Sequence, residues 1–183
     1  GEKASTTLIN AEMYRAFFRP FAEKGVDMLY IGFDSGLSGT YQQSLMAAKK
    51  IMNQYPDVRL LCMDSLSASV GQAALVHEAA RMRQNGASFD ELADWLEQNR
   101  LAAAHWFTVD DLHYLHRGGR LSKGSAVMGT ALHLKPLLTI DRKGKLKPVA
   151  KLRGRRKAIS HMAELTATHM LTPDSLVVIG HAD

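Results

Sequence analysis

A loop that carries two glycines and several hydroxyl side chains follows the first strongly apolar segment of the chain. It reads Asp34-Ser35-Gly36-Leu37-Ser38-Gly39-Thr40 and precedes a segment of helical character. The first N–H groups of a helix have no partner within the helix and lie at the positive end of its dipole, so they attract anions. Ser38 and Thr40 add hydroxyl donors, and Gly39 allows close approach to the backbone. These residue types favour a site for a carboxylate or a phosphate.

The same loop has two other interpretations. It could be an ordinary strand-to-helix turn with a Ser or Thr cap and no ligand. It could also present Ser38 as a nucleophile, because a hydrolase elbow occupies the same strand–turn–helix setting. That elbow requires the pattern G-x-S-x-G, and here Gly39 follows Ser38 directly. A serine hydrolase at Ser38 is therefore a less favoured alternative.

Polar segments elsewhere in the chain could contribute to the same chemistry. Ser5-Thr6-Thr7 precedes the first predicted helix, and residues 64–71 follow the second apolar run. Two basic segments, residues 117–120 and 151–157, could bind phosphate through forked guanidinium groups, although solvated helix ends explain them equally well. The histidines have no zinc-binding spacing, and the chain has no phosphate-binding P-loop. This pattern indicates that any phosphate is brought by a partner.

The positive charge is concentrated in one part of the chain. The net charge is +5, but residues 113–157 hold 13 Lys and Arg against one acidic residue, Asp141. This asymmetry indicates an anionic partner, which could be nucleic acid, a membrane surface or a phosphate. A nucleic-acid-binding module that uses residues 113–157 is thus a further alternative. Gly118-Gly119 and Pro136 interrupt the basic residues, however, and no recognition-helix pattern is present.

Cysteine usage and hydropathy limit the class of protein. The chain has 183 residues and a single cysteine, Cys62, which excludes an intrachain disulfide framework and a multi-cysteine metal site. No run approaches the ~18 consecutive apolar residues of a membrane span, and the first residues do not resemble a secretory signal. We therefore expect a cytoplasmic protein without stable membrane insertion.

Alternating strand-like and helix-like segments predict an α/β fold. Apolar runs at residues 26–33, 58–63 and 105–109 are typical of strands buried on both faces. Helices are predicted between them, beginning after a cap at Asn10 and covering residues 40–54, 71–84 and 89–101, the last with a capping box at Ser88 and Glu91. This order predicts a doubly wound, largely parallel sheet domain over residues 1–109.

The chain changes character near Val109–Asp110, where we place a domain boundary. Asp110 is predicted to cap a short helix, and a second helix is predicted over residues 122–133. Residues 134–140 and 146–152 flank a polar turn and predict an antiparallel hairpin. A helix over residues 155–170 and a strand over residues 175–180 follow. Residues 110–183 are therefore predicted to form a second, smaller α/β domain with antiparallel or mixed strands.

Several motifs occur together in a recognisable order. They comprise residues 6–10, 36–42, 64–65, 107–112, 114–122, 134–138 and 151–154. In this order they resemble the DegV family of bacterial fatty-acid-binding proteins. In that family a strand with an acidic D-S motif would precede Gly1, and a glycine-rich segment with a histidine would follow Asp183. His181 does not match that histidine.

The resemblance implies a two-domain carrier, not an enzyme, that binds one long-chain, palmitate-like fatty acid between its domains. No other cofactor and no metal are implied. The positions that match the family's carboxylate-binding hydroxyls and their neighbours are Thr6, Thr7, Ser38, Gly39 and Thr40. The implied roles are lipid transport and fatty acid metabolism.

The resemblance also implies a protein partner. In fatty acid kinase systems a protein of this family presents the carboxylate to a separate ATP-binding subunit, which makes the acyl phosphate. The matching positions for phosphate handling or partner contact are Arg117, Arg120 and Arg153. A nucleic-acid partner is not implied.

Overall fold

The structure, a computed structural model, describes residues 6–122 and 134–181. These residues form two compact units: Ala104–Val177 make up the second, and the other described residues make up the first. The domain boundary at Val109–Asp110 stays a prediction, because compactness alone does not show where an independently folding domain begins.

The first unit is built on two parallel strands. Its elements are α1 (Ala11–Ala22), β1 (Met28–Gly32), α2 (Thr40–Gln54), β2 (Leu60–Asp64), α3 (Ser69–Gln84) and α4 (Phe89–Asn99). β1 and β2 pair in parallel, with Met28 opposite Leu60 and Gly32 opposite Asp64. Parallel neighbours need a crossover connection, and α2 provides it. The predicted helix caps are confirmed at Asn10, which accepts from the Met13 N–H at 3.0 Å, and in the capping box of α4.

Side chains of β2 alternate between two apolar clusters, so the sheet is covered on both faces. Leu60 and Cys62 belong to a cluster formed with α1 and α2, whose buried members are Tyr14, Phe18, Ala22, Ala47, Ala48, Ile51, Val58, Leu60 and Cys62. Leu61 and Met63 belong to a cluster with Leu75 of α3 and Leu96 of α4. The doubly wound arrangement predicted from the sequence is confirmed.

The second unit contains an antiparallel sheet in the order β3-β4-β5. Its elements are β3 (Phe107–Thr108), α5 (Leu112–Arg117), β4 (Leu134–Ile140), β5 (Leu146–Arg153) and a helix, α6 (Arg155–His169). β4 and β5 form the predicted hairpin, with Leu134 opposite Arg153 and Ile140 opposite Leu146. Leu112, Leu121 and Leu138 form its buried cluster.

Two of the predicted strands differ in the structure. The segment at residues 105–109 was expected in the parallel sheet, but β3 pairs antiparallel with β4, so that assignment is wrong. Residues 175–180 form no strand, because they make no ladder hydrogen bonds with the described residues. Of the helix predicted over residues 122–133, only Ser122 lies within the described residues. Along residues 6–122 and 134–181, no helix is both long and apolar enough to cross a membrane.

Candidate anion-binding site

The loop between β1 and α2 is folded around Asp34. The side chain of Asp34 is fully buried, and its Oδ1 accepts a hydrogen bond from the Gly36 N–H at 2.7 Å. The carbonyl oxygen of Asp34 accepts from the N–H groups of Leu37 and Ser38, both at 3.1 Å. These bonds turn the chain back on itself and place Ser38 immediately before the first turn of α2.

Ser38 and Thr40 form a hydroxyl pair at the start of α2. Their Oγ and Oγ1 atoms are 2.6 Å apart, and the Thr40 N–H donates to Ser38 Oγ at 3.2 Å. The two hydroxyls have two protons between them, and their mutual hydrogen bond uses one. The other proton points away from the pair, whichever residue carries it. The pair therefore offers one O–H donor to a ligand.

The cap position of α2 has no capping side chain. Gly39 occupies that position and has no side-chain oxygen to offer, although the Thr40 N–H is bonded to Ser38 Oγ. The N–H groups of Tyr41 and Gln42 have no hydrogen-bond partner among residues 6–122 and 134–181. Because α2 is 15 residues long, these donors lie at the positive end of a well-developed helix dipole. They complement the hydroxyl pair as donors for an anion.

Gly32 allows the first turn of α2 to pack closely against the sheet. A Cβ atom at Gly32 would lie 3.0 Å from Cδ2 of Tyr41 and 3.2 Å from the Met63 carbonyl oxygen, so a larger residue would push these neighbours away by a few tenths of an ångström. The Tyr41 hydroxyl donates to the Cys62 carbonyl oxygen at 3.3 Å. Burial, assisted by the negative charge of Asp64, raises the pKa of Tyr41. Tyr41 is therefore an anchor for the site rather than an acid or base within it.

The segment before α1 passes beside the N-terminus of α2. Cδ2 of Leu8 is 3.7 Å from the point where a Cβ on Gly39 would lie, and the Ala11 N–H donates to Gln43 Oε1 at 3.1 Å. Thr6 and Thr7, just before Leu8, are exposed and make no hydrogen bond with a described residue. The structure thus brings the segment that carries both threonines to the side of the helix terminus where Gly39 lies.

The loop after β2 meets the loop after β1 at the same edge of the sheet. Asp64 Oδ1 accepts from the Ser35 N–H at 3.1 Å, and the Asp34 N–H donates to the Ser67 carbonyl oxygen at 3.1 Å. Ser65 and Ser67 are fully buried within this loop. Ser65 Oγ donates to the Ser67 carbonyl oxygen and accepts from the Ser67 N–H, both at 3.2 Å, so Ser65 supports the loop. The sequence interpretation did not single out Asp34 or Asp64 as loop supports, although Asp at the start of a turn is a known signal for such bonds.

The three candidate arginines lie in the second unit and are exposed. The Arg117 guanidinium lies 4.5 Å from the ring centre of Tyr114, and the Arg120 guanidinium donates to the Gly118 carbonyl oxygen. Gly119 has a φ of +75°, which turns the chain after α5. Arg153 ends β5. Arg117 and Arg153 form no ion pair with a carboxylate of the described residues, so their charges could interact with an anionic ligand or partner.

Two kinds of catalytic centre find no support in the part of the chain that the structure describes. No histidine there is hydrogen-bonded to Ser38, whose partner is Thr40, so Ser38 has no visible general base. His133 lies outside the described residues. No group of three His, Cys, Asp or Glu side chains is arranged to hold a metal among residues 6–122 and 134–181.

The fold and the site define an α/β protein with hydroxyl and N–H donors at the carboxyl edge of parallel strands, where such folds bind ligands. Comparison with known families gives a specific assignment. The profile described as "Uncharacterised protein, DegV family" matches residues 1–183. The chain belongs to the DegV family.

Known relatives extend this assignment. A DegV domain-containing protein of Clostridium perfringens is 36% identical over 184 residues, which cover 100% of this chain and 63% of that protein. One from Streptococcus pyogenes is 41% identical over 181 residues, covering 99% and 63%. The chain therefore spans about 63% of the length of these curated relatives.

A solved structure shows the same fold. The fatty-acid (stearic acid)-binding protein of Eubacterium ventriosum superposes with a TM-score of 0.82 and 28% identity, covering 90% of this chain and 56% of that one.

Proposed function

We propose that this protein binds a long-chain fatty acid and holds its carboxylate at the start of α2. The observation that carries the proposal is the N-terminus of α2, where the Tyr41 and Gln42 N–H groups have no partner among the described residues and lie beside the Ser38–Thr40 pair. Membership of the DegV family and the similarity to a stearic acid-binding protein support it. Thr6, Thr7, Ser38, Gly39 and Thr40 are the residues that we assign to the carboxylate.

The donors at this terminus match the needs of a carboxylate. A carboxylate has two oxygens with about four acceptor sites. Moving it out of water without hydrogen-bond donors costs roughly several kcal/mol of free energy, as for other buried charges. Here one O–H of the hydroxyl pair and the N–H groups of Tyr41 and Gln42 can donate. The helix dipole adds a favourable field. These donors hold the carboxylate without a lysine or arginine partner.

A comparison of palmitate with hexadecanol tests this function. Both have the same alkyl chain, but only palmitate has a carboxylate. Each is titrated against the protein in competition with a fluorescent fatty acid. We expect palmitate to bind at least about tenfold more tightly, the ratio expected when charge-assisted hydrogen bonds are lost. Equal affinities would show that the carboxylate is not recognised, and no displacement by palmitate would refute the function.

We further propose that the protein is a carrier that presents the fatty acid to a separate ATP-dependent kinase subunit. The sequence has no P-loop for ATP, which fits a scheme in which this protein binds the fatty acid and a second protein binds ATP. The exposed guanidinium groups of Arg117, Arg120 and Arg153 supply the positive charge that an acyl phosphate or an ATP-bearing partner would need.

Arg120→Ala is expected to separate the two proposed roles. Palmitate affinity should stay within about twofold of the original value, because Arg120 is exposed and bonds to the Gly118 carbonyl. Acyl-phosphate formation with a fatty acid kinase subunit should fall about tenfold, as expected for loss of one charge-assisted contact. Arg142→Ala, at an exposed site in the β4–β5 turn, is the matched control. If palmitate binding fell instead, Arg120 would belong to the carboxylate site.

We place the protein in the cytoplasm. Its one cysteine, Cys62, is free and buried among apolar residues. Burial raises the pKa of the Cys62 thiol to about 11, so the thiol stays protonated and unreactive at neutral pH. A free cysteine is typical of proteins in a reducing compartment.

A further inference from the structure

The connection from β2 to α3 contains one strained residue, Leu66, and a second, Ser69, begins α3. Leu66 and Ser69 have φ angles of 47° and 50°, in the left-handed region that residues other than glycine rarely adopt. Such conformations cost free energy and persist only where the surrounding structure holds them in place. The hydrogen bonds that hold the chain in this conformation therefore indicate which neighbouring part of the protein it positions.

One carboxylate oxygen holds the strained loop and the loop of the candidate site together. Asp64 Oδ1 accepts from the Leu66 N–H within its own loop and from the Ser35 N–H in the loop after β1, both at 3.1 Å. Ser35 lies between Asp34, which supports the turn, and Ser38, which forms the hydroxyl pair. The Asp64 side chain is thus a direct link between the two loops.

The backbone strengthens the same connection. The Ser65 N–H donates to the Gly32 carbonyl oxygen at 3.1 Å, and the Asp34 N–H donates to the Ser67 carbonyl oxygen at 3.1 Å. Arg100 Nη1 donates to the Asp64 carbonyl oxygen at 3.1 Å. Asp64 is only 8% exposed, so its oxygen has little freedom to move. The position of Asp64 Oδ1 therefore sets the position of Ser35.

We propose that Asp64 is a positioning residue for the fatty-acid carboxylate. Through Ser35 it fixes the loop that presents the Ser38–Thr40 pair at the N-terminus of α2. This inference rests on the proposed function, because it assigns a role within that site. Asp64 itself makes no contact with the ligand in this scheme.

Geometry, not charge, must explain an aspartate at this position. A negative charge close to a bound carboxylate is repulsive and weakens binding. Asp64 is therefore useful because its Oδ1 accepts two N–H groups from two loops. Asparagine keeps an acceptor oxygen at the same distance from the backbone and removes the charge. Glutamate keeps the charge but moves the acceptor by one methylene.

These two variants test the proposal directly. Palmitate affinity is measured for the original protein and for Asp64→Asn, Asp64→Glu and Asp64→Ala. Each measurement is made at a temperature well below the thermal unfolding midpoint of that protein. Asp64→Asn is expected to bind within about twofold of the original affinity or more tightly. Asp64→Glu and Asp64→Ala are expected to bind about tenfold more weakly, as for a lost hydrogen bond of the site. Asp94→Ala, on an exposed position of α4, is the control.

Each outcome has a distinct meaning. Failure of the original protein to bind palmitate would refute the proposed function itself. If the original protein binds, but Asp64→Asn loses as much affinity as Asp64→Glu, or Asp64→Glu loses none, the positioning role is wrong. If Asp64→Glu and Asp64→Ala do not fold, Asp64→Asn still decides, since hydrogen exchange at the Ser35 amide must stay as slow as in the original protein. Faster exchange with unchanged affinity would overturn the proposal.

Discussion

Ser38→Ala is expected to weaken palmitate binding by about 10- to 100-fold. Hydrogen bonds to a charged group contribute about 1.5–3 kcal/mol each, which corresponds to this range of affinity. The change removes the acceptor of the Thr40 N–H and the partner of the Thr40 hydroxyl, both within the hydroxyl pair. Affinity is measured by competition with a fluorescent fatty acid, and the free energy of unfolding by urea denaturation.

Ser160→Ala is the matched control for this prediction. Ser160 is exposed on α6, so its loss should change neither affinity nor stability appreciably. If Ser38→Ala lowers the free energy of unfolding enough to account for its weaker palmitate binding, the result would not support the site. Unchanged affinity in Ser38→Ala would contradict the assignment of the carboxylate to the start of α2.

A double-mutant cycle with Thr40→Val sharpens the result. The hydroxyls of Ser38 and Thr40 are only 2.6 Å apart and form one hydrogen bond with each other, which leaves one O–H proton for a ligand. If they act as a single donor, the loss in the double variant is smaller than the sum of the two single losses. Additive losses would show that the two hydroxyls bind the ligand independently.

Phe18→Ala is expected to lower the free energy of unfolding by about 3–5 kcal/mol. Phe18 is 2% exposed, and its ring centre lies 5.7 Å from that of Tyr14 and 5.8 Å from that of Tyr30. Truncation therefore leaves a cavity between α1 and β1. Because domains are stable by only about 5–15 kcal/mol, this is a large fraction of the total. Urea denaturation measures the change.

Phe17→Ala provides a control at the adjacent residue. Phe17 is the same residue type on the same helix, but it is 63% exposed. Its truncation should cost about 1 kcal/mol or less, as for other surface substitutions. Equal losses for Phe17 and Phe18 would show that Phe17 is also buried in the folded protein, or that Phe18 is not.

Much of the fold could be predicted from local sequence. The bounds of α2, residues 40–54, follow from a glycine before the helix and a proline after it. The cap at Asn10 and the capping box of α4 follow from short-range hydrogen-bonding rules. The β4–β5 hairpin follows from two apolar runs around a polar turn. All of these depend on residues close together in the chain.

The errors arise where partners are distant in the chain or where neighbouring residues are equivalent. β3 has only two residues, and pairing with β4 rather than with the parallel sheet determines its place. Asp111 rather than Asp110 caps α5, because Asp110 instead pairs with Lys135 at 2.6 Å. Residues 175–180 have the apolar pattern of a strand, but they pair with no strand among the described residues. A local pattern cannot reveal whether such a partner is present.

The candidate site was only partly predictable for the same reason. Its hydroxyls and glycine were identified from their position between a strand and a helix. The bond from the Ser35 N–H to Asp64 connects residues 29 positions apart, and no local pattern reveals it. The approach of Leu8 to Gly39 is likewise visible only in three dimensions.

Native mass spectrometry of the protein purified without added lipid tests the central claim most directly. A fatty acid that is bound through its carboxylate should remain with the protein and appear as a mass increment of one long-chain acid. The increment should be present in the original protein and in Ser160→Ala, and strongly reduced in Ser38→Ala. A protein that carries no fatty acid and takes none up from a palmitate solution would contradict the account. So would Ser38→Ala retaining the same amount.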